Sequence, residues 1–178
     1  MRITAGMFKG RRLHVPPIGG VRPTPSKARE ALFNILGDIE GWMVLELFSG
    51  SGLMALESLS RGVAHVTSIE QNERVCRHLR QVRDDWQLAE RWRIVRVGVE
   101  HGLEMLAQTR FDLIFADPPY QQGFLERIPA WLTRHDIHGG RLVIEESVRT
   151  PPAAIEGWTM TQSRRYGDTC LHFFEEEA

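Results

Sequence analysis

From Met43 onward short apolar runs alternate with amphipathic stretches of about 10 to 15 residues, a pattern that few folds can satisfy. "MVLELF", "AHVTSIE", "RWRIVRV", "FDLIFA" and "GRLVIEES" read as strands. "LMALESLSRG", "NERVCRHLRQVRDDW", "EHGLEMLAQT" and "GFLERIPAWLTRH" read as the helices that follow the first four, the last bent at Pro129. Strands and helices in this order form a parallel, doubly wound sheet with right-handed crossovers. The end of the chain breaks the rhythm. "WTMTQSRRYGDTCLHFFEEE" has no helical period, and Gly167-Asp168 divides it into two β-rich halves, so an antiparallel hairpin is expected to close the sheet. Ahead of Met43, "RITAG" and "RRLHV" read as a short hairpin around residues 6 to 10, followed by the connector "PPIGGVRPTP". Ser26 then caps the helix "KAREALFNIL", whose Ala28, Leu32, Ile35 and Leu36 share a face and which stops at Gly37. These elements predict a Rossmann-like α/β domain over residues 41–178, mostly parallel, with a hairpin-and-helix extension over residues 1–40.

The chain has 178 residues, 42% of them hydrophobic, enough for one substantial core. No stretch approaches the roughly 20 apolar residues of a membrane span. "MRITAGMFKGRR" has no apolar signal region, so a cytoplasmic protein is expected. Cys76 and Cys170 are far apart and no histidine has ligand spacing, which predicts free thiols and no metal. The net charge of −1 conceals an asymmetry. Residues 1–30 hold Arg2, Lys9, Arg11, Arg12, Arg22, Lys27 and Arg29 against Glu30 alone, a net +6 that leaves −7 for the remainder. A basic arm on a mildly acidic body suits a protein that touches phosphates with one end. Arg11, Arg12, Arg22, Lys27 and Arg29 are its candidate phosphate contacts, with Arg164 and Arg165 in the C-terminal hairpin as a second pair.

"LELFSGSGLMA" joins the first strand to its helix. Gly50 and Gly52 let the backbone turn tightly and approach a ligand, while the helix start presents free N–H groups. Glu70 ends the second strand twenty residues after Gly50, where an acid binds ribose hydroxyls. The turn locates a nucleoside cofactor without naming it. Gly50-x-Gly52-x-x-Ala55 also satisfies the dinucleotide fingerprint, so a nicotinamide- or flavin-dependent oxidoreductase is an alternative. Two features favour S-adenosylmethionine: Glu46 stands where an α-ammonium group would sit, and a C-terminal antiparallel hairpin is the sheet ending typical of class I methyltransferases.

"FDLIFADPPYQQG" is a buried strand that ends on an acid, two prolines and a tyrosine. In an open α/β sheet ligands lie beyond the carboxyl ends of the strands, which puts Asp117 beside the glycine turn if the two strands are neighbours. The paired prolines keep the stretch extended, and neither has an N–H. It therefore presents acceptors, the Asp117 carboxylate and the Pro118 carbonyl, beside the flat face of Tyr120. Two fixed acceptors next to an aromatic plane match an exocyclic amine on a nucleobase that has left its helix.

"RITAGMFKGRRLHVP", "RPTPSKAREALFNIL", "LELFSGSGLMALESLSRGVAHVTSIE", "FDLIFADPPY" and "YGDTCLHFF" together resemble the bacterial RsmD family over nearly the whole chain. The resemblance implies a class I methyltransferase that moves a methyl group from S-adenosylmethionine to N2 of a guanine in 16S ribosomal RNA. The small size of the catalytic domain points to a partly or fully assembled small ribosomal subunit as partner. By position the resemblance assigns Asp117, Pro118, Pro119 and Tyr120 to the catalytic motif. Glu46, Phe48, Ser49, Gly50 and Gly52 fall in the cofactor loop, Glu70 and Gln71 at the ribose, and Asp117 at the cofactor's reactive end. Glu100 is the candidate adenine contact, with His101 as the other choice, and Arg22 to Pro25 fall at the RNA entrance. Many relatives have Asp where this chain has Glu46, one methylene longer. "DPPY" by itself also admits adenine N6 or cytosine N4 of DNA, and a non-catalytic RNA-binding module would retain the same fold.

Overall fold

The computed structural model describes residues 1–15, 26–151 and 154–177. Its elements in chain order are α1 (Ser26–Leu36), β1 (Met43–Leu47), α2 (Leu53–Ser60), β2 (His65–Glu70), α3 (Glu73–Asp85), β3 (Trp92–Arg96), α4 (Val99–Met105), β4 (Arg110–Ala116), α5 (Phe124–Arg134), β5 (His138–Ser147), β6 (Trp158–Tyr166) and β7 (Thr169–Glu176). The strands form one sheet in the order β3-β2-β1-β4-β5-β7-β6. Strands β1 to β5 pair in parallel, and β7 runs antiparallel to both β5 and β6, as the hairpin signal predicts.

The central strands are apolar because helices cover both faces. α1, α2 and α3 pack on one side, where Leu32, Leu56 and Leu79 meet Val44 and Phe115. α4 and α5 pack on the other, where Leu103 and Leu132 meet Leu45 and Ile114. The Asn72 side chain caps α3, accepting from the amides of Arg74 (2.9 Å) and Val75 (3.2 Å). Winding proceeds from β1 through β2 to β3 in one direction and from β4 to β5 in the other. The direction reverses between β1 and β4, and their carboxyl ends border a crevice.

The N-terminal segment is the expected hairpin in minimal form. "RITAG" and "RRLHV" share a single antiparallel bridge, Arg2 with Arg12, in place of two strands. The Ile3 and Gly10 amides donate to the Arg11 and Ile3 carbonyls across it (3.0 and 2.9 Å), and other polar groups turn to α2. The amides of Thr4 and Ala5 donate to the Glu57 carboxylate, as does the Thr4 hydroxyl, and the Met7 amide donates to the Ser60 carbonyl (2.8 Å). Gly6 is needed at this contact, since a Cβ there would lie 1.8 Å from the Ser60 oxygen. Ile3 and Leu13 join the core beneath α1 and α2, so a boundary at residue 40 does not separate two cores.

Glu57 organises this docking. It is 0% exposed and also holds Arg61 (3.1 Å) and Arg29 (3.5 Å). Arg29 is 3% exposed and donates to the Arg2 carbonyl (3.1 Å). A guanidinium buried in this way is a brace within the fold, so Arg29 drops out of the candidate RNA contacts. Replacing Glu57 with Ala leaves Arg29 buried without its counter-charge. A loss of about 3–5 kcal/mol is expected in urea unfolding, against less than about 1 kcal/mol for Arg77→Ala, whose pairing with Glu73 is exposed.

Candidate active site

A small cleft opens where β1 and β4 end. Glu46, Phe48, Ser49 and Gly50 form one wall, Ser51, Leu53 and Met54 the start of α2, and Phe115 and Asp117 the opposite wall. The turn between β1 and α2 is tight: Phe48, Gly50 and Gly52 all have positive φ (59°, 48° and 71°). Gly52 also lies against the layer behind it, where a Cβ would stand 2.5 Å from Leu79 Cδ2. The Gly50 amide donates to Glu70 Oε2 (3.1 Å), and Glu70 Oε1 accepts from the Asn72 amide (2.8 Å). The predicted ribose acid thus also ties the glycine turn to the start of α3.

Glu46 is 3% exposed and both its oxygens are engaged. Oε1 accepts from the Ala55 amide (3.1 Å) in the first turn of α2, and Oε2 accepts from the Ser68 hydroxyl (2.6 Å), which in turn accepts from Trp92 Nε1 (2.8 Å). Burial pushes the Glu46 carboxyl up to about 7, the hydrogen bonds pulling only part of the way back. A residue expected from sequence to meet an ammonium group therefore also braces the glycine turn and α2.

Asp117 continues the β1–β4 ladder, its amide donating to the Leu47 carbonyl (3.4 Å). Its carboxyl is held well above the usual range, first by burial and then by the neighbouring charges of Glu145, Glu46 and Glu146. Pro118 is buried and Pro119 exposed. The Tyr120 ring is anchored at its far end: the hydroxyl donates to Glu145 Oε1 (2.8 Å) and lies 2.9 Å from Thr169 Oγ1. Burial raises the phenol's pKa. The next residue, Gln121, has a φ of 59° and donates its amide to Glu146 (3.2 Å). One end of β5 and β7 thus holds the second half of the "DPPY" loop.

Glu145, Glu146 and Thr169 were not among the residues singled out in the sequence. A signal existed: "IEES" puts acids at the carboxyl end of a core strand, the same placement that marked Glu70 and Asp117. Of the other candidates, Gln71 is exposed and its Oε1 lies beside Gly98. Glu100 is ion-paired with Arg134 of α5 (3.0 Å) and is not among the residues lining the cleft, while His101 pairs with Glu104. Arg11 lies over the Trp86 ring (3.9 Å), Arg12 and Lys27 are exposed, and Arg22 with the rest of "RPTP" lies outside the described residues. Among the described residues no group of three or more His, Cys, Asp or Glu could hold a metal ion, and no helix is long and apolar enough to cross a membrane.

The solved structure of yhhF from Escherichia coli, described as a candidate methyltransferase, matches with a TM-score of 0.88 at 30% identity, covering 100% of this chain and 98% of that one. The fold is that of the Rossmann-like methyltransferases. "Ribosomal RNA small subunit methyltransferase D" of Escherichia coli (strain K12) is 31% identical over 100% of this chain and 91% of its own length. YlbH of Bacillus subtilis (strain 168) is 28% identical over 99% of both chains. Residues 1–175 match the family model described as "Conserved hypothetical protein 95". The chain belongs to this family, that of RsmD.

Glu46 provides a test of the site's electrostatics. The folded protein keeps its proton to about pH 7, whereas the unfolded chain releases it near 4.5. Its contribution to stability is therefore complete below about pH 4.5 and lost as pH rises through 7. Glu46→Gln should flatten that fall in unfolding free energy by about 3 kcal/mol, read from urea titrations at a series of pH values.

Proposed function

We propose that this protein transfers a methyl group from S-adenosylmethionine to the exocyclic N2 amine of a guanine in 16S ribosomal RNA. Two carboxylates carry the cofactor assignment: Glu46 and Asp117 face one cleft from the ends of adjacent strands. A dinucleotide would bring its pyrophosphate charges against them, whereas S-adenosylmethionine brings an α-ammonium and a sulfonium. That disfavours the oxidoreductase alternative for the same glycine turn. Phe48, Leu53 and Met54 supply apolar contact in the same cleft, and Glu70 stands at its margin for the ribose hydroxyls.

When bound, S-adenosylmethionine supplies a methyl group already activated on sulfur, so the protein's work is positioning and electrostatics. The Asp117 carboxyl and the Pro118 carbonyl accept the two N–H bonds of the amine and draw its lone pair out of conjugation with the ring. Tyr120, fixed through its hydroxyl, offers a ring face to the flipped base. Asp117, with its raised pKa, is the group placed to take the proton that the amine releases.

The names of the relatives direct the substrate to ribosomal RNA over DNA, and that of the Escherichia coli relative to the small subunit. A catalytic unit of this size would draw part of its recognition from a partly or fully assembled subunit in the cytoplasm. Labelled S-adenosylmethionine, offered with small subunits or deproteinised 16S RNA from cells lacking the gene, should deposit label in N2-methylguanosine. Label in N6-methyladenine or N4-methylcytosine of DNA, or none from protein that still binds the cofactor, would overturn the substrate. Asp117→Ala should bind S-adenosylmethionine in calorimetry yet transfer methyl about 10²- to 10³-fold more slowly.

A further inference from the structure

Strand β6 differs from the rest of the sheet. It is nine residues long and, among the described residues, pairs only with β7. Between Trp158 and Tyr166 none of its residues is buried, so both faces meet solvent. Sheet edges are ordinarily short, covered or charged to prevent pairing. This one, "WTMTQSRRY", contains two arginines, four hydroxyl side chains and no acid. Such a composition suits phosphate oxygens.

Its position is equally specific. β6 runs antiparallel to β7, and β7 antiparallel to β5, so β6 points the same way as the parallel strands and ends at the edge that carries the cleft. Tyr166 pairs with Thr169, whose hydroxyl contacts Tyr120. Arg165 and Arg164 therefore stand one and two residues before Tyr166, the strand partner of that tether, one on each face of the strand. Arg165 Nε donates to the Gly167 carbonyl (2.9 Å) and Arg164 reaches the Gln162 amide oxygen, which leaves further guanidinium N–H donors on both.

The basic N-terminal hairpin is placed otherwise. Its turn is bonded to Ser60, at the end of α2. α2 starts at the cleft and returns to the opposite edge of the sheet, so Lys9 and Arg11 lie at the edge away from the cleft. Meanwhile the cleft is lined by the carboxyl groups of Glu46 and Asp117 and, among the described residues, by no cation, so a neutral base can enter while its phosphates are better held outside.

We infer that β6 is the track for the RNA strand flanking the target nucleotide, with phosphates on Arg164 and Arg165. This rests on the RNA methyltransferase assignment above. The full-length protein and its Arg164→Ala/Arg165→Ala variant are titrated with deproteinised 16S RNA over a series of KCl concentrations. The salt slope of log K should fall by about 1.4 to 1.8 and KM for RNA should rise with kcat retained, while calorimetric affinity for S-adenosylmethionine and the unfolding midpoint stay unchanged. Because Arg165 also braces the turn, Thr161→Glu is the second variant. It adds a negative charge to the strand away from the turn and should weaken RNA binding too. Unchanged slope and affinity in both variants would overturn the track and leave the RNA assignment standing. So would sedimentation showing a wild-type dimer that Thr161→Glu dissociates, since β6 would then serve edge-to-edge pairing of two copies. Wild-type protein that binds no RNA at any salt would remove the RNA assignment itself.

Discussion

Parallel pairing of β1 with β4, at the point where the winding of the sheet reverses, sets the position of everything chemical in this protein. Glu46 pairs with Phe115 and Leu47 with Ala116, so the two strands reach the same edge in register. One continues into the glycine turn and the other into "DPPY". No helix crosses between them there, and the cleft lies in the gap. Hydrogen bonds from the main chain, which side-chain substitutions leave in place, thus bring the glycine turn and the "DPPY" loop together across one strand spacing.

That arrangement collects Glu46, Asp117, Glu145 and Glu146 at one end of the sheet. Carboxylates so close are tolerable only if they are neutralised or hydrogen-bonded. Both devices operate. Glu46 is bonded to the Ala55 amide and Ser68, Glu145 to the Tyr120 hydroxyl, and Glu146 to the amides of Gln121 and Ser147, while Glu46 and Asp117 hold their protons more tightly than free carboxyls. A cationic ligand would relieve the same crowding. The acids thus serve two ends: they stiffen the loops and leave an electrostatic vacancy of the sign that a sulfonium and an ammonium fill.

The N-terminal hairpin shows how a charge count can mislead. Seven basic side chains in thirty residues suggest a nucleic-acid arm. In the fold, Arg29 neutralises Glu57 and Arg11 stacks on Trp86, so two of the seven are occupied in docking the hairpin to α2 and α3. The C-terminal hairpin carries fewer charges but stands beside the catalytic loop. Location relative to the cleft, more than number, decides which cations an RNA strand can reach while its base is bound.

Much of the architecture was legible in the residues alone. Buried parallel strands need unbroken apolar runs, helices between them need a 3.6-residue period, and tight turns need glycine, so the α/β order, the glycine turn and the terminal hairpin can be read locally. Asp117, Tyr120, Glu46 and Glu70 were legible for a related reason: each stands at the end of a core strand, where a polar residue would otherwise be out of place. The N-terminal hairpin could be read as a hairpin, but its docking could not, because Glu57 and Ser60 lie over 50 residues away. The same holds for Arg29, whose burial depends on a helix it does not belong to, and for Glu145 and Thr169, which reach Tyr120 only when β5 and β7 lie side by side. Sequence determines what depends on a residue and its near neighbours; tertiary structure alone decided which charges were exposed, which acids were shared and which edge of the sheet each arginine faced, because those properties belong to pairs of residues that the chain separates and only packing unites.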